Sequence, residues 1–307
     1  MAHSAYRTLT GFSYVLITPA RNEGQYIEMT LRSMLRQTLR PAKWVIVSDG
    51  SADGTDELVT KQAARHDWIE LVRMPERRER NFAGKVEAFN AGYARVKASE
   101  YQVIGNVDAD VSFDEADYFE FLISQFAQND RLGVCGTSYR EGREVYPGPF
   151  ASVEDVVLGA CQLFRRECFE AIGGYLPIRS GGIDLIAFLS AREKGWQTRT
   201  FSERVCVHHR KVASADHVKA CKRLMQMGQK DYLLGSHPLW EIARSVYLMK
   251  SSPYILGAAL TLGGYLWAMF RRVDRTIPAE LMELRRDDQM RRLKVIRQMM
   301  LRCVLTK

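Results

Sequence analysis

Asp108 and Asp110, separated only by Ala109, are the side chains in this sequence best suited to chemistry. Their carboxylates offer hard oxygen ligands of the kind that hold Mg²⁺ or Mn²⁺ already bound to a phosphate. Acidic pairs are also common in solvated turns, so the setting must decide between the two. Ahead of the pair run Val103, Ile104, Gly105, Asn106 and Val107, an apolar stretch that reads as a strand buried on both faces, as in a parallel sheet. The pair therefore falls just past the carboxyl end of a strand, where open α/β sheets bind ligands.

The preceding chain supplies the elements that would position this edge. Tyr14–Thr18 reads as a short strand ended by Pro19, and Ile27, Leu31, Met34 and Leu35 then recur at helical spacing. Trp44–Val47 is a second strand, and residues 48–55 that follow it are dense in turn and N-cap types. A helix through Leu58 and Val59 towards Arg65 leads to a third strand, Ile69–Arg73. A basic loop (Arg73, Arg77, Arg78, Arg80) and a helix carrying Val86, Phe89, Tyr93 and Val96 come next. This rhythm predicts parallel strands joined by right-handed crossovers. If strands one to three wind one way and the fourth returns to the other side of the first, a crevice opens between strands one and four. Its walls are Pro19–Glu23 and Asp108–Asp110, and the Asp49 loop closes it. Farther on, Phe119, Leu122, Ile123 and Phe126 mark a helix, and Gly133–Tyr139 and Gly159–Arg165 mark strands. Glu141–Pro149 reads as a mobile loop beside the site, Gly173-Gly174 as a turn and Arg179–Gly182 as a second flexible patch. A helix over Leu185–Lys194 ends at Gly195, and Asp184 stands at its start.

Several signatures stand in order: residues 18–23 (Thr-Pro-Ala-Arg-Asn-Glu), residues 48–55 (Ser-Asp-Gly-Ser-Ala-Asp-Gly-Thr), Gly84-Lys85 with Asn90 and Gly92, Asp108-Ala109-Asp110, Gly174-Tyr175, and Asp184. Together they make the chain resemble, over about residues 12–210, the family 2 glycosyltransferases, inverting enzymes of the GT-A fold. The fold so implied is α/β, a GT-A-type, Rossmann-like, mostly parallel mixed sheet flanked by helices. The resemblance makes Pro19 and Glu23 the wall facing base and ribose of a nucleoside-diphosphate sugar, Asp49 the partner of a nucleobase N–H, and Lys85 a phosphate or base contact. It makes Asp108 and Asp110 the holders of Mg²⁺ or Mn²⁺ against the diphosphate, joined by a histidine from a later strand. His208 and His209 both compete for that place. Strand alternation lets one of them face the cleft, with His208 preferred, and Arg210 is a further neutraliser of the diphosphate. Asp184 matches the general base that deprotonates the acceptor hydroxyl. Bland readings stand beside these: a turn or capping role for Asp49, a structural Lys85, an N-cap at Asp184, and one surface and one packed histidine. Ile183 occupies the place of the glutamate that commonly precedes the base, and the Gln-x-x-Arg-Trp signature of processive synthases is absent, so one sugar per encounter is expected.

The chain has 307 residues, 46% hydrophobic and 26% charged, enough for one large α/β unit and an appendage. The expected division is 1–230 for the glycosyltransferase domain (1–110 nucleotide-binding, 111–230 acceptor-binding) and 231–307 for a C-terminal helical, membrane-associating region. The net charge of +8 is concentrated late, in Arg271, Arg272, Arg275, Arg285, Arg286, Arg291, Arg292, Lys294, Arg297 and Arg302. No nucleic-acid recognition motif accompanies these charges. Pro238 starts a helix with an apolar face of Leu239, Ile242, Ala243 and Val246, and Ser251–Phe270 carries no formal charge. That stretch is short for a span and suits interfacial insertion; a true span and a packed helix or dimer interface are the alternatives. Six cysteines without paired spacing suit reduced, buried thiols, and the N-terminus lacks the order of a secretory signal. The expectation is a cytoplasmic protein, peripheral or monotopic at the inner face of the cell membrane, acting on a glycan or lipid-linked acceptor. Rival readings are a sugar-nucleotide nucleotidyltransferase and a catalytically silent, membrane-bound nucleotide-sugar-binding protein.

Overall fold

A computed structural model describes residues 11–76, 82–142, 144–146, 156–210, 217–250 and 254–305; Arg77, Arg78, Arg80 and Pro147–Pro149 lie outside this set. The chain divides into two compact units, Met1–Lys211 and Val212–Lys307.

In the first unit the order is β1 (Tyr14–Ala20), α1 (Ile27–Leu35), β2 (Lys43–Asp49), α2 (Thr55–Ala63), β3 (Ile69–Met74), α3 (Phe82–Val96) and β4 (Val103–Val107). β1 pairs in parallel with β2 on one side and β4 on the other, and β2 with β3. The strand order 3-2-1-4 thus reverses between β1 and β4, where the two loops were expected to meet. Val103, Ile104 and Val107 are fully buried, as a strand covered on both faces requires. Helix α1 turns Ile27, Leu31 and Met34, spaced four and three apart, onto this core.

After β4 the sheet becomes mixed. It continues with β5 (Val111–Phe113), α4 (Tyr118–Gln128), β6 (Leu132–Glu141), β7 (Glu144–Tyr146), β8 (Cys161–Arg165), α5 (Arg166–Ala171), α6 (Ile183–Glu193) and β9 (Gln197–His208). β8 runs antiparallel to β4 and β6, and β9 runs parallel to β6 and antiparallel to β5. The whole order is β3-β2-β1-β4-β8-β6-β9-β5, with β7 on β6. Three expectations change. β1 does not end at Pro19 but runs to Ala20; from Thr18 onward it pairs only with β2, so proline's missing N–H costs no bond to β4. Residues 144–146 of the expected loop form a hairpin strand on β6. Strand β5, too short to show a period, was not anticipated. Cys135, Cys161, Cys168 and Cys206 are buried free thiols, and burial pushes Cys206 up to about 12.

The second unit contains α7 (His217–Leu233), α8 (Pro238–Leu248), α9 (Tyr254–Phe270) and α10 (Ala279–Leu305). Among the described residues no helix is long and apolar enough to cross a membrane. α9 buries Gly257, Ala258, Thr261, Gly264, Tyr265 and Ala268 along one face. The backbones of α7 and α9 approach closely, since a Cβ on Gly228 would meet the Thr261 carbonyl and one on Gly264 the Met225 carbonyl. Tyr265 OH donates to the Ser236 carbonyl at 2.7 Å, and Arg244 is held between Asp231 and Glu241.

Candidate active site

Polar contacts bind the loops after β1 and β2 to each other. Asn22, in the left-handed region at φ 54°, accepts the Ala52 N–H at 3.0 Å and donates its own N–H to Ser51 Oγ at 3.1 Å. Glu23 N–H reaches Thr55 Oγ1 at 2.8 Å, and Gly24 N–H reaches Asp53 Oδ2 at 2.8 Å. Asp53 also takes the Thr55 N–H just ahead of α2, whose N-cap is Gly54 at φ 88° without a side-chain cap, so the capping role weighed for Asp49 falls to neither aspartate. Asp49 ends β2 as a buried side chain with Arg21 Nη1 3.7 Å from its Oδ2. Pro19 stands in β1 opposite Val47.

Across the switch point the acidic pair is bound to cations of the chain itself. Asp108 pairs with Lys85 and accepts Asn106 Nδ2 at 3.0 Å. Asp110 accepts Arg210 Nε at 2.9 Å, and the same guanidinium pairs with Glu23 and lies over the Tyr26 ring at 5.3 Å. Arg210 therefore joins the two walls that the topology sets side by side. Pairing of β5 with β9, Val111 opposite His208, carries the histidines to the acidic pair. His208 Nε2 is 3.5 Å from Asp110 Oδ1, while its Nδ1 is 3.1 Å from the Arg210 carbonyl. A carbonyl only accepts, so in the neutral ring the proton sits on Nδ1 and a bare Nε2 lone pair faces a carboxylate oxygen. His209 turns instead to Ser112, its Nε2 2.8 Å from Oγ.

Asp184 belongs to the first turn of α6, whose N-cap is Gly182 at φ 87°, so it is not the capping residue. A methyl added at Gly159 would lie 3.1 Å from Asp184 Oδ2. The Gly159 carbonyl accepts Asn106 Nδ2 at 2.8 Å, and that amide also holds Asp108. Asp108 and Asp184 thus meet around one short segment. Gln162, fully buried on β8, donates to the Asp184 carbonyl at 3.2 Å and accepts Tyr175 OH at 2.8 Å.

The family model described as Glycosyl transferase family 2 matches residues 15–188, more than half the chain and all of the elements just described up to α6. The chain belongs to glycosyl transferase family 2. Poly-beta-1,6-N-acetyl-D-glucosamine synthase of Staphylococcus epidermidis is 25% identical over 209 residues, 67% of this chain and 47% of that protein. The synthase of the same name from Staphylococcus aureus (strain COL) is 28% identical over 201 residues, 65% and 45%. The chain spans about half the length of the curated relatives it matches. Among solved structures, mannosyltransferase PcManGT from Pyrobaculum calidifontis, in complex with GDP-Man and Mn²⁺, superposes with TM-score 0.57 at 20% identity, covering 92% of this chain and 84% of its own. S. aureus TarS in complex with UDP-GlcNAc gives TM-score 0.52 at 14% identity, covering 86% and 74%. These likenesses establish the GT-A-type fold of this family 2 member.

In this glycosyltransferase fold the crowding of carboxylates governs the electrostatics. Burial raises the Asp108 pKa above the usual aspartate range; the Lys85 charge opposes the rise and neighbouring Asp110 adds to it. Burial works against charge on Lys85, but Asp108, with Asp184 and Asp110 farther off, outweighs it and holds the ammonium above the ordinary lysine value. Burial lowers the His209 pKa. Among Glu23, Asp108, Asp110, Asp184, Lys85 and Arg210, carboxylates outnumber cations by two. Among the described residues no three His, Cys, Asp or Glu side chains converge as a complete metal cage. Asp110 with His208 remains suited to a divalent ion that takes its other ligands from phosphate and water, the usual habit of Mg²⁺. Asn106 and Gln162, which brace the acidic residues, were not singled out from sequence, and Tyr175, which bonds Gln162, entered only as part of the Gly174-Tyr175 signature. The signal for Gln162 was a lone amide inside the apolar strand Cys161–Phe164.

Proposed function

We propose that the protein is an inverting, non-processive glycosyltransferase that moves a sugar from a nucleoside-diphosphate sugar to an acceptor hydroxyl on a glycan. The observation that carries this reading is the meeting of Asp108, through Asn106, and Asp184 on Gly159 at the carboxyl edge of the sheet. Pro19, Glu23 and Asp49 flank base and ribose, and Lys85 and Arg210 face the diphosphate. Asp184 accepts the proton of the acceptor hydroxyl as its oxygen attacks the anomeric carbon, and the nucleoside diphosphate leaves from the opposite face. An excess of negative charge is a poor receptor for an anionic diphosphate unless a cation intervenes. A divalent ion held by Asp110 and His208, with Asp108 beside it, would supply charge neutralisation for the leaving group. The names of the relatives, poly-beta-1,6-N-acetyl-D-glucosamine synthases, support a glycan acceptor.

The test is a thermal-shift screen of UDP-, GDP- and dTDP-sugars with Mn²⁺, since a ligand of the native state raises apparent stability. Asp184→Asn should keep the shift of the wild type and lose turnover by about 10²–10⁴-fold. Turnover at the wild-type rate in Asp184→Asn, or no stabilisation by any sugar nucleotide, would refute the assignment.

A further inference from the structure

We propose that the outer face of α8 and α9 is a docking surface for an anionic lipid bilayer. Helix α8 turns Trp240, Glu241 and Ser245 inward and leaves Leu239, Ile242, Val246 and Met249 exposed. Their spacing of three, four and three puts them in one stripe, and each retains between 42% and 58% of its surface. A globular helix ordinarily buries such a stripe. Five positions after Met249, α9 opens with exposed Tyr254, Ile255 and Leu256, and its outer side continues through Ala259, Gly263, Trp267 and Phe270. Phe270 is 78% and Ile255 71% exposed. Apolar exposure repeated over two consecutive helices marks an interaction site.

Charge identifies the occupant. Between Glu241 and Asp274 the sequence has no carboxylate, and its charged residues are Arg244, Lys250, Arg271 and Arg272. Arg244 is held by Asp231 and Glu241, so the exposed charges next to the two ends of α9 are Lys250, Arg271 and Arg272, three cations against the one exposed carboxylate, Asp274, that follows them. Lys250 lies over the Tyr247 ring at 5.5 Å and Arg271 over Trp267 at 6.0 Å, an aromatic and cationic border suited to the headgroup layer. A second copy of this chain on the same face would press Lys250, Arg271 and Arg272 against their own kind in a protein of net charge +8. A bilayer of anionic lipid supplies both the opposite charge and an apolar layer for the stripe. With one face of α9 committed to α7, the helix lies along such a surface rather than through it.

The experiment is co-sedimentation of the full chain with phosphatidylcholine vesicles, with and without about one third phosphatidylglycerol, alongside sedimentation velocity without lipid. Wild type should pellet with the anionic vesicles and little with pure phosphatidylcholine. Val246→Glu with Phe270→Glu should lower binding at least about tenfold, since charge on the apolar face opposes insertion. Neutralising Lys250, Arg271 and Arg272 to Gln should cost about fivefold per charge on anionic vesicles. Circular dichroism of each variant checks that these surface changes leave the helices intact. Wild type remaining in the supernatant, Glu variants pelleting like wild type, or a lipid-free dimer that the Glu variants split would each overturn the proposal.

Discussion

Replacing Gln162 with leucine removes a buried amide that no other group can imitate. Its side chain is fully buried, donating to the carbonyls of Val157 and Asp184, both at 3.2 Å, and accepting the Tyr175 hydroxyl at 2.8 Å. Leucine fills the volume but leaves three polar atoms without this partner. Orphaning a buried group costs about 1–3 kcal/mol. The two long bonds go to carbonyls with a second lone pair, so they fall at the low end, and the short bond from Tyr175 falls near the middle. The expected loss is roughly 3–4 kcal/mol, a large part of a typical folding free energy. Equilibrium urea unfolding followed by tryptophan fluorescence reads it, because Trp44, Trp68 and Trp196 report on the first unit. Adding Tyr175→Phe to Gln162→Leu removes one orphan and should recover roughly 1–2 kcal/mol, whereas independent sites would add their losses. A Gln162→Leu loss below about 1 kcal/mol, or strict additivity with Tyr175→Phe, would refute the bracing role.

Gly228→Ala pushes a methyl into the Thr261 carbonyl of α9, and overpacking of about 1–3 kcal/mol should outweigh the roughly 1 kcal/mol gained in helix propensity. A variant that melts higher than wild type would refute the close crossing. His237 caps α8 by accepting the Leu239 N–H on Nδ1 at 3.1 Å, and burial, with Arg286 nearby, holds its pKa below the ordinary histidine value. The folded state therefore favours the neutral ring. The cap's contribution of about 1 kcal/mol is complete above the unfolded pKa of about 6.5 and is lost as pH falls from there through the lowered folded value. Asparagine at 237 caps without titrating, so melting curves across this window should show a flatter pH profile, and identical profiles would count against the assignment.

Elements whose apolar runs are long enough to show a period were legible in the sequence: β1 to β4 and α1 follow from Val, Ile and Leu spacing, whereas the strand-order reversal was a conditional expectation drawn from the alternation of strands and helices. β5 was not, because Val111-Ser112-Phe113 is too short for a period and its partner β9 comes some ninety residues later. The same register decides between the histidines. Alternation says that His208 and His209 point apart, but only the pairing of Val111 with His208 says which one approaches Asp110. Asp49 and Asp53 are both turn-forming types in one motif, and spacing alone does not say that Asp53 ties the two loops together while Gly54 takes the N-cap of α2. The apolar stripe of α8 was equally visible, but periodicity states only that Leu239, Ile242 and Val246 share a face, not whether another element covers it.

The charge distribution of the first unit makes Asp110→Ala a sharper probe than simple loss of a ligand. In the proposed site Asp110 does two things: it is the carboxylate beside the His208 lone pair, and it occupies Arg210 Nε at 2.9 Å. Its removal takes away a metal ligand, which weakens metal-dependent binding of a sugar nucleotide. It also releases part of the Arg210 guanidinium, leaving Glu23 as its remaining charged partner in this group, and lowers the local excess of negative charge by one. Both of those changes favour an anion in the absence of metal. The two effects oppose each other in any single measurement with Mn²⁺ present, so the informative quantity is the difference between binding with Mn²⁺ and with a chelator. That difference should be large in the wild type and vanish in Asp110→Ala, with metal-free binding equal to or tighter than the wild type's. A variant that retains the full difference would remove Asp110 from the metal assignment, and one that binds more weakly under both conditions would show that Arg210 does not face the diphosphate.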